Sequence, residues 1–511
     1  MIRKMGKKRI FKRRLPEECF LVLIIVSISP YKIRKMGNLE MLKADRLCTL
    51  DRLPDKNRPN GRTIFGQMGE QGKLFVSSCG IWKGLCDMEK VYKKRIADGL
   101  LQRKLAGKGA VLIEGAKWCG KTTTAEQIAK SILYMSETGM AEQNIRLASL
   151  NPKLLLKGEI PRLIDEWQIA PQLWDSVRFE SDHGPLGQFI LTGSSVPADM
   201  SKVIHSGTGR FGRLKMRPMS LWESQESTGD ISLAELFWTP DQIGGINKMD
   251  TEQLAFLTCR GGWPLAVDMD REIALDQAFD YIEAVEKRDI SKVDGVERDP
   301  VRVHRLLRSL ARNQGSQASL GTIRADLKAN ESDSLSEDTV SSYIKALKEI
   351  FVIEDSEAWN PNLRSRTAIR TSDTRYFTDP SIATAALGVG PQDLVNDLNT
   401  FGLVFETLAV RDLRVYADAL NGKVYHFRDK NGLECDAVIH LRDGRYGLAE
   451  IKLGGDELIY EGAASLLKLA GKIDTERMKA PSFMMVLVGV GRYAYRREDG
   501  VYVVPIGCLK N

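Results

Sequence analysis

Residues 110–122 read Ala-Val-Leu-Ile-Glu-Gly-Ala-Lys-Trp-Cys-Gly-Lys-Thr, and this stretch decides the fold of the domain that contains it. The last eight residues, 115–122, fit the phosphate-binding loop pattern G-x-x-x-x-G-K-[ST]. The apolar run at 110–113 is typical of a buried strand. Apolar residues at 125, 128, 129, 132 and 133 fall at helical spacing, so we expect an amphipathic helix after the loop. Strand, loop and helix in this order predict an α/β P-loop core.

The residues of the loop suggest how a nucleotide would be held. The loop amides and the N-terminus of the following helix would point at the β-phosphate of ATP. Lys121 would reach the β- and γ-phosphate oxygens, and the hydroxyl of Thr122 would bind Mg²⁺. The alternative for the bare pattern is a glycine turn with a surface lysine, and the flanking strand and helix argue against it. The predicted nucleotide-binding residues of this stretch are Gly115, Cys119, Gly120, Lys121, Thr122 and Thr123.

Residues 144–150 predict a second strand, and two adjacent carboxylates then follow another short apolar run, at residues 161–166. In a P-loop ATPase, Asp165 would hold the Mg²⁺ and its water shell, and Glu166 would act as the base that polarises the attacking water. An Asp-Glu pair after a strand is more often a solvated strand end. Here the distance of 43 residues from Thr122 to Asp165 favours the catalytic interpretation.

Further candidates lie downstream. The apolar run 188–191 ends in Thr-Gly-Ser-Ser, which suits a γ-phosphate sensor at Ser194, although Ser and Gly also form ordinary turns. Residues 206–213 are a glycine-rich loop with two arginines, Arg210 and Arg213. Arg210 is the candidate for an arginine finger, in this chain or for a neighbouring subunit of a homo-oligomer.

The composition of the 511 residues suggests a globular protein of several domains, with 43% hydrophobic residues and a net charge of +7. Residues 1–87 carry 19 Lys and Arg against 8 Asp and Glu, so the remaining residues have a net charge of −4. Bulk charge therefore gives no argument that the main body binds nucleic acid. The eight cysteines and five histidines form no zinc or disulfide pattern, which favours a reducing cytoplasm and assigns no histidine to a metal.

The first 87 residues differ from the rest. A basic run at 3–14 precedes an apolar stretch at 19–28, which is shorter than the roughly 20 residues that span a bilayer. No small-x-small cleavage site follows it. We expect residues 1–87 to be an unstructured or non-native extension, with Met88 as the natural start and a helix at 91–98 leading into the core.

The chain resembles the prokaryotic AAA-type ATP-binding proteins that carry a C-terminal nuclease-like domain. The resemblance covers residues 88–511. It rests on the loop, on Leu-Ile-Asp-Glu-Trp-Gln at 163–168, Phe-Ile-Leu-Thr-Gly-Ser-Ser at 189–195, Arg-Pro-Met-Ser-Leu-Trp-Glu at 217–223 and Gly-Gly-Trp-Pro at 261–264. It implies an ATPase core at 88–230, a helical lid or linker at 231–298, a winged helix at 299–372 and a restriction-nuclease-like α/β domain at 373–511.

The middle of the chain carries the patterns expected of these parts. Residues 252–259 and 273–289 have helical patterns, as do 301–312, 322–329 and a segment that opens at Ser336, with a strand predicted at 351–353. Three short helices followed by a strand suit a winged helix. The exposed face of the third helix mixes acidic and basic residues, so DNA contact and protein scaffolding remain alternatives.

The C-terminal part contains a second set of candidate residues, on two runs that flank Asp443-Gly444, a hairpin signal. A two-residue loop would place Asp436 and Glu450 on opposite faces. A three-residue loop with Gly444 left-handed would place Asp436 opposite Glu450 and on one face with Lys452. Together with Glu406 on a helix predicted at 401–413, this set matches the D…E-x-K pattern of restriction-type nucleases, PD-(D/E)XK.

Asp436 and Glu450, with Glu406, would bind Mg²⁺, and Lys452 would help to generate hydroxide. The alternative is a solvated hairpin face with a cross-strand salt bridge. The sequence thus favours a cytoplasmic, Mg²⁺-dependent ATPase coupled to a nuclease-like domain with DNA as a candidate partner. The rival hypothesis is an ATP-driven switch or adaptor whose C-terminal domain binds DNA or protein without catalysis.

Overall fold

A computed structural model describes residues 91–194, 205–328, 336–361, 372–476 and 478–511. The predictions for residues 1–87, for Ser195 and for Ala329 fall outside the described residues. Residues 91–511 form one of the two units into which contacts divide the chain. Everything below concerns that unit.

The nucleotide-binding part is built on a parallel sheet of five strands in the order β2-β3-β4-β1-β5. In β1 all residues before Glu114 are buried, as the apolar run predicts. Helices cover the sheet, and an additional 3-10 turn at Trp167–Ile169 follows β3. The elements are α1 Ile96–Leu105, β1 Ala110–Glu114, α2 Lys121–Glu126, β2 Ser131–Tyr134, α3 Ala141–Leu150, α4 Pro152–Leu156, β3 Arg162–Asp165, α5 Leu173–His183, β4 Phe189–Gly193 and β5 Phe211–Lys215.

Three local predictions in this part were wrong. The helix after the loop ends at Glu126, and residues 132 and 133 lie in the edge strand β2, where exposure alternates along the strand. Residues 144–150, predicted as a strand, belong to helix α3, which buries Asn144 and Ala148 one turn apart. The first helix begins at Ile96 rather than at residue 91. In the first two cases a short apolar pattern was compatible with both periods, and packing decided between them.

The middle of the chain is helical, and Ser336 caps its last long helix by accepting a hydrogen bond from the amide of Thr339, as predicted. A π-helical turn, Val285–Asp289, extends one of the helices. Three helices are followed by a two-stranded antiparallel sheet of β8 and β9. The elements are β6 Ile231–Ser232, α6 Leu233–Leu236, β7 Gly245–Ile246, α7 Thr251–Arg260, α8 Pro264–Val267, α9 Arg271–Ala284, α10 Pro300–Arg312, α11 Leu320–Lys328, α12 Glu337–Glu349, β8 Ile353–Ser356 and β9 Thr374–Phe377.

The C-terminal part is a mixed sheet of seven strands in the order β10-β11-β12-β13-β15-β14-β7. Ala437 and Ile439 of β11 belong to the same apolar cluster as α15, whereas Val438 packs with α16. The sheet therefore has a helix on each face. The elements are α13 Pro380–Leu387, α14 Pro391–Asn396, α15 Leu398–Ala419, β10 Gly422–Arg428, β11 Glu434–Leu441, β12 Tyr446–Gly454, α16 Asp456–Gly471, β13 Phe483–Val490, β14 Tyr493–Arg496, β15 Tyr502–Pro505 and β16 Leu509–Lys510.

The hairpin of β11 and β12 has the register that a three-residue loop requires. Ala437 pairs with Ala449 and His440 with Tyr446. Gly444 adopts φ +85°, a left-handed conformation that glycine tolerates. The three-residue alternative is therefore confirmed, and the two-residue alternative is wrong. Among the helices of the described residues, none has the length and apolar content needed to cross a bilayer.

Candidate functional site

The glycine loop lies at the carboxyl end of β1, between β4 and β5. Gly115 has φ +154°, and a Cβ there would lie 2.0 Å from the carbonyl oxygen of Met216, so only glycine fits. Gly120 has φ +97° and directly precedes helix α2. The first amide groups of α2 have no intrahelical acceptor and face the loop, which makes this end of the helix suited to an anion.

A buried arginine, Arg95, forms hydrogen bonds with the loop, although no pattern in the sequence indicated this role. Arg95 donates from Nη1 to the carbonyl of Cys119 at 2.9 Å and from Nη2 to the carbonyl of Arg217 at 2.8 Å. Its Nε forms an ion pair with Glu223 at 3.1 Å. The Sγ of Cys119 also contacts the carbonyl of Met216 at 3.5 Å. Cys119 is thus fixed in place and buried.

Lys121 and Thr122 begin helix α2 and lie inside the site. The buried ammonium of Lys121 donates to the carbonyls of Gly115 and Ala116 at 2.9 and 2.8 Å. Thr122 Oγ1 donates to Asp165 Oδ1 at 2.7 Å. Thr123, by contrast, is exposed on the outer side of the helix.

Asp165, at the end of β3, is hydrogen-bonded to a residue of β4 and to the last residue of the loop pattern. Asp165 at the end of β3 pairs in register with Thr192 of β4, which in turn pairs with Ile113 of β1. Thr192 Oγ1 donates to Asp165 Oδ1 at 2.6 Å, and Thr122 donates to the same oxygen. Thr192 lay in the hydroxyl-rich strand end noted from the sequence, although Ser194 was the residue predicted there. Ser194 is buried one residue beyond β4, at the same end of the sheet.

Glu166 occupies a left-handed backbone conformation with φ +57°, where non-glycine residues are uncommon and cluster at functional sites. Burial, and then the neighbouring charge of Asp165, raise the pKa of its carboxyl. Gln168 Nε2 donates to Glu166 Oε2. Gln168 Oε1 is buried with no hydrogen-bond partner among the described residues.

Hard oxygen donors gather here, and they fit Mg²⁺ and a nucleotide. The hydroxyl of Thr122 and the carboxylate of Asp165 are the donor types that Mg²⁺ prefers, and they already lie within hydrogen-bond distance of each other. Lys121 is turned onto the carbonyls of its own loop, an interaction that a phosphate oxygen would replace. The residues present therefore suit both groups.

Arg210 is not brought to this site. It precedes β5, and Phe211 pairs with Ala110 at the amino end of β1, whereas the loop follows the carboxyl end. A five-residue strand separates the two ends by on the order of 15 Å. Arg210 instead forms an ion pair with Asp182 at 2.6 Å. Placing it at the γ-phosphate of its own chain was wrong, because its strand runs parallel to β1 and begins at the opposite edge.

The C-terminal acids and lysine also come together. Lys452 Nζ lies 2.6 Å from Glu450 Oε2 and 3.4 Å from Asp436 Oδ2. Asp436 Oδ2 also accepts the amide of Ile451 at 2.7 Å. Glu406 on α15 accepts a hydrogen bond from the hydroxyl of Tyr376 at 2.6 Å.

The charges of this cluster influence one another. Burial, followed by repulsion from Asp436, raises the pKa of both Glu406 and Glu450. The nearby carboxylates raise the pKa of Lys452 despite its burial. Within the described ranges, no group of three or more His, Cys, Asp or Glu side chains is placed to hold a metal ion. The three predicted carboxylates, Glu406, Asp436 and Glu450, are therefore not placed as one metal-binding group in the described structure.

Comparisons with known proteins agree with the first site. Residues 107–225 match the family model described as an AAA domain. Residues 251–393 and 401–509 match two further models, each described as a domain of unknown function, DUF8612 and DUF4143. The family match and the loop geometry together make residues 107–225 an AAA-type P-loop core.

Two relatives have a low sequence identity to this chain over most of their length. The chain is 23% identical over 417 residues to "Uncharacterized protein Rv2008c" of Mycobacterium tuberculosis and to "Uncharacterized protein Mb2031c" of Mycobacterium bovis, covering 81% of this chain and 83% of each relative. A solved structure, the Walker-type ATPase paby2304 of Pyrococcus abyssi, is 15% identical with a TM-score of 0.37, covering 58% of this chain and 96% of that one.

Proposed function

We propose that this protein hydrolyses ATP with Mg²⁺ at the P-loop site. The observation that carries the proposal is the convergence of the Thr122 and Thr192 hydroxyls on one oxygen of Asp165, directly beside the half-buried carboxyl of Glu166. Metal-binding oxygens and a base thus occur next to each other at the N-terminus of a helix.

Each side chain has a distinct task in this reaction. Lys121 would exchange the carbonyls of Gly115 and Ala116 for the β- and γ-phosphate oxygens. Thr122 and Asp165 would hold Mg²⁺, which offsets charge on the phosphates when bound. Glu166 would accept a proton from the attacking water, and its raised pKa brings it closer to the value suited to a base at neutral pH. Gln168 donates a hydrogen bond to this carboxyl and would hold it in position.

The ATPase proposal is tested by phosphate release from the full chain with MgATP. Lys121→Ala should abolish turnover by removing the phosphate-binding ammonium. Glu166→Gln should lose turnover and keep nucleotide binding. Lys130→Ala, an exposed lysine beyond α2, is the matched control and should turn over at the wild-type rate. Wild-type turnover by Lys121→Ala would refute the proposal.

We further propose that the C-terminal domain is a nuclease-like unit acting on DNA, which the ATPase core drives through the intervening helices, with residues 299–372 as a winged helix. Its support is the placement of Asp436, Glu450 and Lys452 in mutual contact, with Glu406 close enough to sense their charges. Cleavage of DNA with Mg²⁺ or Mn²⁺ should be lost in Asp436→Ala and kept in Asp443→Ala, an exposed acid of the hairpin loop.

A second candidate function is an ATP-driven switch or adaptor whose C-terminal domain binds DNA or a protein without cleaving it. One observation favours it: within the described ranges, Glu406, Asp436 and Glu450 do not form a group of three acids placed to hold a metal ion. Wild-type protein that leaves DNA and RNA intact with either cation would select this alternative. Because Arg210 lies at the edge of the sheet opposite to the loop, it could act in hydrolysis only at the site of a neighbouring subunit.

A further inference from the structure

Two residues at x positions of the G-x-x-x-x-G-K-[ST] pattern, Lys117 and Trp118, contact the helical segment at 271–289. Lys117 Nζ lies 2.5 Å from Asp289 Oδ1, at the end of the π-helical turn. Trp118, held at φ +65°, meets the ring of Tyr281 edge to face at 5.8 Å. Tyr281 in turn stacks on Trp263 at 4.6 Å. The phosphate-binding loop is therefore in direct contact with α9 and the turn after it.

The two partners in the Lys117–Asp289 pair differ in exposure. The side chain of Lys117 is 40% exposed, whereas that of Asp289 is 11% exposed. A lysine on a flexible stem can turn to another partner or to water at little cost. A carboxylate that loses its counter-ion in a buried position cannot, unless the turn that carries it moves toward solvent. Breaking this pair would therefore favour movement of the π-helical turn.

Lys117 also belongs to the loop that would surround the phosphates. Its charge is one of those that act on the carboxyl of Glu166, together with Lys121 and Asp165. The terminal phosphate of ATP would lie among these groups, because Lys121 binds its oxygens and Glu166 addresses the water that attacks it. The terminal phosphate group carries more negative charge than a single carboxylate, so it is the stronger partner for an ammonium group.

We propose that Lys117 is a γ-phosphate-binding residue that leaves Asp289 when ATP is bound, so that the terminal phosphate and the helical segment compete for one ammonium group. The inference rests on the ATP site proposed above. It adds a contact that distinguishes ATP from ADP, and it names Asp289 as the residue through which the helical segment responds to the nucleotide.

The competition gives the two halves of one ion pair opposite effects on binding. In Lys117→Gln, the affinity for β,γ-imido-ATP should fall by about tenfold or more, since hydrogen bonds to charged groups contribute about 1.5–3 kcal/mol. In Asp289→Asn, the ammonium is released and the affinity for the same analogue should rise severalfold. The affinity for ADP should stay the same in both variants. Isothermal titration calorimetry with Mg²⁺ measures all four values on the full chain.

Two further variants serve as controls, one for loss of stability and one for the removal of a nearby charge. Lys117→Gln leaves Asp289 unpaired and could destabilise the fold, so the double variant Lys117→Gln/Asp289→Asn removes both charges and should bind the analogue as weakly as Lys117→Gln. Lys287→Gln breaks an exposed pair with Glu283 on the same turn and should change neither affinity.

The outcomes separate the inference from the proposed function. If both single variants weaken the analogue, or change ADP and the analogue equally, the pair is structural and the inference is overturned. If the wild-type protein binds neither nucleotide, the ATP site itself is refuted.

Discussion

Replacing Arg95 with Met tests whether a buried charge holds the phosphate-binding loop in shape. The guanidinium donates to the carbonyls of Cys119 and Arg217 and pairs with Glu223. Because C=O and N–H point in opposite directions across a trans peptide, fixing the carbonyl of Cys119 directs the amide of Gly120 away from Arg95 and into the loop. Arg95→Met should therefore loosen the loop and reduce nucleotide affinity.

The magnitude follows from burial. The side chains of Arg95 and Glu223 are 4% and 2% exposed. Removing one member of such a pair costs about 3–5 kcal/mol because the other charge stays buried. Glu223 keeps the amides of Ile96 and Ser220 as donors at 2.8 and 2.9 Å, so we expect a cost near the lower limit, about 3 kcal/mol. That value corresponds to roughly a hundredfold more frequent opening of the structure around the loop.

Hydrogen exchange of peptides covering residues 96–126 measures this opening in the full chain. Arg95→Met should raise exchange there, and the double variant Arg95→Met/Glu223→Gln should recover part of the loss, because no unpaired charge remains. Exchange equal to that of the wild type, or a double variant less protected than the single one, would refute the reasoning.

Three more predictions concern other buried groups. Thr192→Val removes a hydrogen bond to Asp165, so turnover with MgATP should fall by about tenfold to a hundredfold while unfolding stability changes less than in Arg95→Met. The raised pKa of Glu450 means that the folded state holds a proton that the unfolded state releases, so thermal stability should fall as pH rises from about 5 to about 8, and Glu450→Gln should flatten this slope. Glu354→Gln removes one of the two carboxylates that pair with the buried Arg217, at 2.7 Å, and leaves only Asp418, so the melting temperature should fall by several degrees; an unchanged value would contradict a stabilising role for this pair.

Features specified by consecutive residues were predictable from sequence. The glycine loop and the acids at the end of β3 are defined within a few residues of chain, and the Asp-Gly turn limited the β11–β12 hairpin to two registers, of which the structure has the three-residue one. Gly444 at φ +85° fixes the turn, and the turn fixes which face Asp436 occupies. Local chemistry was sufficient here because the functional geometry is set by a single strand end or turn.

Features that depend on distant residues were not predictable in the same way. Arg95 meets Glu223 across 128 positions, and no periodicity links the two. Placing Arg210 required knowing that β5 lies beside β1 and parallel to it, so that its first residue is at the far edge. The contact between Lys117 and Asp289 spans 172 positions and depends on how the helical segment folds back over the loop.

Helix α15 provides a physical connection between the two candidate sites. Its 22 residues extend about 33 Å and carry Glu406 near the C-terminal cluster and Asp418 toward the other end. Asp418 pairs with Arg217 at 2.6 Å, and Asp412 accepts the amide of Leu221 at 2.9 Å. Both partners lie in the segment directly after β5, whose Met216 carbonyl touches Cys119 of the loop.

These contacts connect α15 to the segment at 217–221, which follows β5 beside the phosphate-binding loop. Separating α15 from the segment at 217–221 would break the Arg217–Asp418 ion pair and remove the Leu221 amide from the fully buried carboxylate of Asp412, at a cost of several kcal/mol. A displacement of that segment on nucleotide binding is therefore more easily accommodated by shifting α15 as a rigid body than by breaking the contacts. Glu406 would then change its distance to Asp436, and the proposed ATP binding would alter the electrostatics of the second cluster.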